Sequence, residues 1–318
     1  MARGRKLAKK VVEEKCLLSV AAEEFFRHNE VKNLAPETQK SYISYVNLFK
    51  DWYGANKEVD TINTKVIEDY THFKTTSGIK LISVVSQLKH LRRFFNFCAS
   101  RGYMEAVEIT LPKVQEELKE PYSDEEMKKL LKKPITNNWV EYRNWVMVNY
   151  FFSTGQRLST VLNIKVCHLD LREAKVKLEH NKDGIKKWMP LSSAMVKILR
   201  EYIDISELQE EDYLFPEYEG GQLMGRSAED AIAKYNRARG VETIGIHRFR
   251  HTFAKNYIMN GGNPAKLQKL LNHKTIDMTM RYVKLYTMDF ADDLDLFNPL
   301  DNFKRKNYTQ TKRTTVAL

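Results

Sequence analysis

Three cysteines in 318 residues, Cys16, Cys98 and Cys167, are too few and too scattered for a disulfide framework or a Cys-x-x-Cys metal or redox pair, and they suit a reducing cytosol. No stretch approaches the ~18 uninterrupted apolar residues of a membrane span, and a mean hydropathy of -0.52 agrees. The basic N-terminus is followed by no apolar segment of the kind a secretory signal needs, so a cytoplasmic protein is expected. The chain also lacks a Gly-x-x-x-x-Gly-Lys phosphate loop and any obvious carboxylate cluster for a two-metal site. These absences are consistent with chemistry that uses no cofactor and no metal. With 42% hydrophobic and 29% charged residues, the composition excludes disordered, collagen-like and coiled-coil chains.

Acidic residues are outnumbered too. Lys plus Arg total 52 against 41 Asp plus Glu, a net charge of +11, which favours a polyanionic partner. Charge alone leaves nucleic acid, anionic membrane and acidic protein open. The length suits two domains.

Residues 1–16 form a basic arm, with a net charge of +4 over the first 15; it is either a phosphate-touching segment or a solvated tail. Residues 17–112 have a helical pattern throughout. An apolar face runs from Val20 to Phe26. Pro36 opens a helix carrying Tyr42, Tyr45, Val46, Phe49 and Trp52, and Asn63 or Thr64 caps another with Val66, Ile67, Tyr70 and Phe73. A fourth helix runs through Val84, Leu88, Leu91 and Phe94 to Gly102, with Lys80, Lys89, Arg92 and Arg93 along it. Residues 113–122 are polar and near a proline, as in a linker. Ser123 with Glu126 is a capping box that starts the second domain, placed at 123–298. There the period changes: Ala174–Glu179 alternates, Lys187–Leu191 is extended, and Asn181-Lys-Asp-Gly184 between them predicts a hairpin turn. Helices are expected after Ser192, after Ser227 with Asp230, across His247–Asn260, after Asn263 and across Thr275–Leu285. Residues 299–318 form a basic tail. The fold class expected is mainly α with a small antiparallel sheet.

The densest polar cluster is His247-Arg-Phe-Arg250-His251. Two histidines at i, i+4 have the spacing of a zinc pair, but Arg248 and Arg250 make a divalent ion there electrostatically poor. Two further segments accompany it. Thr154-Gly155-Gln-Arg157 places an arginine just after a glycine turn, and Leu270-Leu-Asn-His273 is followed nine residues later by Tyr282. Taken in order, these segments resemble the tyrosine recombinase (phage integrase) family. That family carries an Arg after a Thr-Gly turn, a His-x-x-Arg-His run, a Leu-Gly-His run, and a Tyr nine residues beyond its His. The resemblance covers the rest of the chain. Residues 17–112 look like the family's all-α, SAM-like core-binding domain and 123–298 like its α+β catalytic domain. Asp212-Tyr-Leu-Phe-Pro216 matches a landmark before the second Arg.

The resemblance implies a site-specific recombinase that grips duplex DNA in a C-shaped two-domain clamp and cleaves it through a 3′-phosphotyrosyl link, releasing a 5′-hydroxyl. Arg157, Lys182, His247, Arg250, His273 and Tyr282 are the implied catalytic set. The residue types suit the chemistry. Guanidinium forks offset charge on a phosphorane, and a cationic pocket favours a Tyr phenolate. Lys182 on a hairpin tip would protonate the leaving oxygen; Lys186 and Lys187 are its neighbours and rivals. His247 would accept the Tyr282 proton or bind phosphate, and His273 would add a phosphate hydrogen bond. Tyr286, one turn beyond Tyr282, is a rival nucleophile. Lys80, Lys89, Arg92, Arg93 and Arg248 are candidate DNA contacts. Phe290, Leu294 and Phe297 form a stripe on a helix that either packs at home or docks on a second copy, giving a dimer on one site and a tetramer in the synapse.

Three departures stand out: Thr160 where the family has Glu, Asn272 where it has Gly, and Arg248 where Asp is common. Asn272 is tolerable if the backbone there is left-handed. The arm is too short for a separate arm-site domain, which favours an Xer-like or transposon-borne architecture. Two rivals remain, a DNA-binding relative without chemistry and a type IB topoisomerase.

Overall fold

Apolar residues recurring at helical spacing build the first unit, Met1–Glu117, in the computed structural model, which describes residues 15–114, 120–179, 187–242 and 245–286. Its helices are α1 (Leu18–Val31), α2 (Pro36–Tyr53), α3 (Thr64–Thr76) and α4 (Leu81–Ser100). Pro36 occupies the first turn of α2, where its missing N–H costs nothing. Asn63 caps α3 by accepting from the Val66 N–H. Phe25, Phe49, Tyr70, Leu88, Phe94 and Phe95 share one core, much of it edge-to-face aromatic packing. Its strand content among the described residues is a single bridge, Leu17 to Glu58.

The second unit, Leu118–Leu318, begins inside the stretch expected to be linker. Tyr122 is fully buried there, its N–H donating to Thr252 Oγ1 and its hydroxyl to the Gly245 carbonyl. The helices are α5 (Asp124–Leu131), α6 (Trp139–Thr154), α7 (Leu158–Val161), α8 (Ser193–Ile205), α9 (Gly225–Ala238), α10 (Ile246–Met259), α11 (Pro264–Leu271) and α12 (Asp277–Tyr286). The Ser123–Glu126 capping box, the Ser192 cap of α8 and the Asn263 cap of α11 all form. Strands β1 (Leu169–Asp170), β2 (Lys175–Leu178) and β3 (Lys187–Pro190) make one antiparallel sheet in the order β1-β2-β3. Val176 sits opposite Met189, and these two with Leu178 face the core at period two.

Three local features lie outside what the sequence pattern predicts. The helix after Arg157 is only four residues long, because Leu214 N–H bonds the Ile164 carbonyl and Val166 N–H the Asp212 carbonyl, pulling the chain out of helix. Strand β1, two residues paired with β2 (Leu169 opposite Val176, Asp170 opposite Lys175), has no signal of its own in the sequence. Helix α9 starts at Gly225 rather than after Ser227, since buried Leu223 fixes the entry point. No described helix is long and apolar enough to cross a membrane.

Candidate active site

The first arginine is placed by the end of α6. Gly155 terminates that helix in the left-handed region (φ +61°), and a Cβ there would stand 2.6 Å from Phe253 and 2.7 Å from Leu271. Only glycine satisfies both the dihedral and the space. The next residue, Gln156, donates Nε2–H to the Leu270 carbonyl (2.9 Å). Arg157 then reaches the Asn272 carbonyl with both Nη1 and Nη2, each at a loose 3.4 Å, and stays half-buried.

Arg250, on α10, is held differently. It is 4% exposed and donates Nη1 to the Gly155 carbonyl (3.0 Å) and Nη2 to the Leu271 carbonyl (2.7 Å). Burial, then the neighbouring Arg157, push its guanidinium down to about 10, so it remains a cation at neutral pH. Among the described residues no carboxylate pairs with either arginine. Both charges rest on carbonyl dipoles alone, which leaves them poised for an anion from outside.

Those carbonyls belong largely to one helix end. The C=O groups of Leu270 and Leu271 in the last turn of α11 have no partner within the helix and form the negative pole of its dipole. Asn272 closes it in the left-handed conformation (φ 53°, ψ 53°), as the asparagine-for-glycine change requires. His273 follows. It is largely buried, its Nδ1 shares a proton with Thr279 Oγ1 (2.7 Å), and burial, then Arg250 and Arg157, lower its pKa to about 4. The ring is neutral at pH 7 and stacks on Tyr282, centroids 6.3 Å apart.

Tyr282 lies on α12 and is 4% exposed, in a small cluster with Ala254, Ile258, Leu267 and Leu271. Its hydroxyl is 2.9 Å from His251 Nδ1. Burial raises its pKa, opposed by Arg250, Arg157 and Arg281, so the phenol keeps its proton until something takes it. Tyr286 packs at the edge of the same cluster. The arrangement offers a phenol with a base in contact, two guanidinium groups and a neutral imidazole, the parts needed to attack a phosphodiester.

Of the expected set, Arg157, Arg250, His273 and Tyr282 converge around the α11 terminus. His247 is exposed one turn before His251, the rings 5.5 Å apart. His251, outside that set, meets the tyrosine hydroxyl; its sequence signals are the i, i+4 histidine pair and its place at the end of the His-x-x-Arg-His run. Lys182 lies outside the described residues, as do Phe290, Leu294, Phe297, residues 1–14 of the basic arm and the basic tail. In the first unit Lys80, Lys89 and Arg93 are exposed, whereas Arg92 donates to the Ile109 carbonyl of its own unit. Arg248 is half-exposed beside the site on α10. Among the described residues no group of three His, Cys, Asp or Glu side chains could hold a metal ion.

The model of the phage integrase family matches residues 122–288, more than half of the sequence. The chain belongs to the phage integrase family. Among curated relatives of this integrase-family protein, tyrosine recombinase XerC of Thermodesulfovibrio yellowstonii is 24% identical over 285 residues, covering 86% of this chain and 94% of its own. Tyrosine recombinase XerD of Pseudomonas aeruginosa is 24% identical over 264 residues, 80% and 88%. Among solved structures, the Tn1549 transposon integrase in complex with circular intermediate DNA aligns at a TM-score of 0.73 and 15% identity, covering 87% of this chain and 96% of that one. A lambda integrase dimer bound to a core site aligns at 0.70 and 17%, covering 87% and 79%. These two similarities are of fold.

Proposed function

We propose that this family member is a site-specific DNA recombinase, a DNA strand transferase that cleaves and rejoins duplex DNA through Tyr282 without metal or nucleotide. One observation carries the reading: two arginines with no carboxylate partner among the described residues and a tyrosine touching histidine surround a single helix end. The scissile phosphate sits between the Arg157 and Arg250 forks, which neutralise its non-bridging oxygens. Tyr282 Oη attacks phosphorus as His251 takes the phenolic proton, while neutral His273 donates a hydrogen bond to a phosphate oxygen. The bond to the 5′ oxygen breaks, and Lys182 supplies its proton. A 3′-phosphotyrosyl link and a 5′-hydroxyl result, and attack by a second 5′-hydroxyl reverses the step. The bond energy is conserved in the link, so no ATP is consumed.

The lysines and arginines of both units bind phosphates, with Lys80, Lys89, Arg93 and Arg248 among them, and binding weakens steeply with salt. The lambda integrase structures hold a dimer on a core site and a tetramer on a Holliday junction. We read this chain as assembling likewise, with the Phe290, Leu294 and Phe297 stripe as the link between copies.

The test is a nicked suicide substrate carrying candidate sites, incubated in EDTA without nucleotide. An SDS-stable protein–DNA adduct is expected from the wild type, and Tyr282→Phe should abolish it. Adduct surviving in Tyr282→Phe, or depending on added metal, overturns the mechanism. Relaxation of a plasmid that lacks a site would favour a topoisomerase instead.

A further inference from the structure

Four successive carbonyls at the end of α11 accept from three separate parts of the second unit. Lys269 accepts from Lys187 Nζ (3.0 Å), Leu270 from Gln156, Leu271 from Arg250 and Asn272 from Arg157. Three of those four donors are cations, as the negative end of a helix favours. Lys187 makes a second bond, to the Asn272 side-chain Oδ1 (3.2 Å). It starts β3, and it reaches across 85 positions of sequence to the residue whose own carbonyl holds the Arg157 fork.

We infer that Lys187 and Asn272 form a positioning clamp that aims Arg157 at the scissile phosphate. Asn272 must stay left-handed to turn its carbonyl toward Arg157. A glycine would adopt that conformation freely but would also leave it freely. The asparagine side chain, tied by Lys187, holds the dihedral and adds a tether to β3. The Arg157 bonds are long enough to be exchanged for phosphate oxygens without losing much. What the clamp supplies is the direction of the guanidinium before DNA arrives. Lys187 therefore acts through Asn272 and Arg157, as a positioning residue distinct from the proton donor assigned to Lys182. The inference rests on the recombinase reading for its catalytic consequence but not for its structural one.

Two measurements test it. Hydrogen exchange on the free protein needs no activity: Lys187→Met should speed exchange at the Asn272 and His273 amides while leaving α6 unchanged. Unchanged exchange at 272–273 overturns the clamp whatever the enzyme does. In single-turnover adduct formation at saturating DNA, Lys187→Met should slow the rate about tenfold with half-saturation shifted less than twofold, as expected when orientation and not affinity is lost. Lys187→Arg, which still reaches both acceptors, should recover to within about threefold of wild type. Asn272→Gly should also be slower, and the double variant with Lys187→Met no slower than Lys187→Met alone, because the two act as one unit. Multiplying effects, or a change confined to half-saturation, would show Lys187 to be an independent DNA contact. Absence of adduct from the wild type would instead fail the recombinase reading and leave the exchange result to decide the clamp.

Discussion

The second unit contains two apolar regions of unequal size, and the candidate site lies between them. The larger, built on α6 and the sheet, gathers thirty buried residues from Tyr122 to Phe249 among those described. The smaller, under Tyr282, gathers five: Ala254, Ile258, Leu267, Leu271 and Tyr282. Arg250 is anchored on both sides, to the Gly155 carbonyl and to that of Leu271, and Arg157 to the Asn272 carbonyl just past Leu271. The nucleophile rides on the small one. An anion cradle that bridges the two regions thus faces a tyrosine on a lightly buttressed helix, which suits chemistry in which the phenol must leave histidine and reach phosphorus.

Breaking the joint between the regions should have the largest effect. Gly155 is that joint, since a Cβ there would strike Phe253 and Leu271. Gly155→Ala adds ~1–2 kcal/mol for a left-handed alanine and ~1–3 kcal/mol for overpacking. Urea unfolding should show a loss of about 3 kcal/mol, the sum of those two effects, with adduct formation reduced in parallel. A loss below ~1 kcal/mol would mean the regions slide freely and that the glycine is not a steric joint.

Removing one buried leucine from each region sharpens the contrast. Leu199 and Leu267 are both fully buried. Leu199→Ala should cost ~3–4 kcal/mol of global stability, because the large core cannot collapse onto the cavity. At a temperature where it stays folded, its adduct rate should remain within about threefold of wild type. Leu267→Ala should cost less, ~2 kcal/mol, yet slow the adduct about tenfold through a misplaced tyrosine. Equal kinetic effects from the two would remove the distinction between anchoring core and mobile support.

How legible each region was in the sequence follows from the range of its determinants. Arg157, Arg250, His273 and Tyr282 sit in short ordered segments that carry the family resemblance, so a linear reading reaches them through it. The left-handed Asn272 was equally local. The partner of the tyrosine hydroxyl is not a local matter, since two histidines on one helix face are indistinguishable until α12 is packed against them. The Lys187–Asn272 tie joins residues 85 apart, and the early end of α7 is imposed by pairing with residues 212–214. Neither leaves a periodic trace. Tyr122 looked like linker because its neighbours are polar, although its own ring belongs to the core. Long-range hydrogen bonding, not propensity, decided each of these.

The smallest effect should come from protons, and it separates the regions once more. His273 is neutral in the folded protein, lowered to about 4 by burial and by Arg250, Arg157, His251 and His247 around it, against 6.5 unperturbed. The unfolded chain therefore binds a proton at this residue first. The stability it contributes is complete above pH 6.5 and is lost as pH falls toward 4. Carboxylates titrate near the lower end of that window, so the comparison must be with His273→Gln, measured by urea unfolding at several pH values. The wild type should lose more stability than the variant between pH 6.5 and 5, where few carboxylates change charge. The loss should be visible in hydrogen exchange on α12, which stacks on the ring, before it reaches α6. Parallel pH curves for the two proteins would mean that solvent already reaches the imidazole, and that the small region is open even before DNA binds.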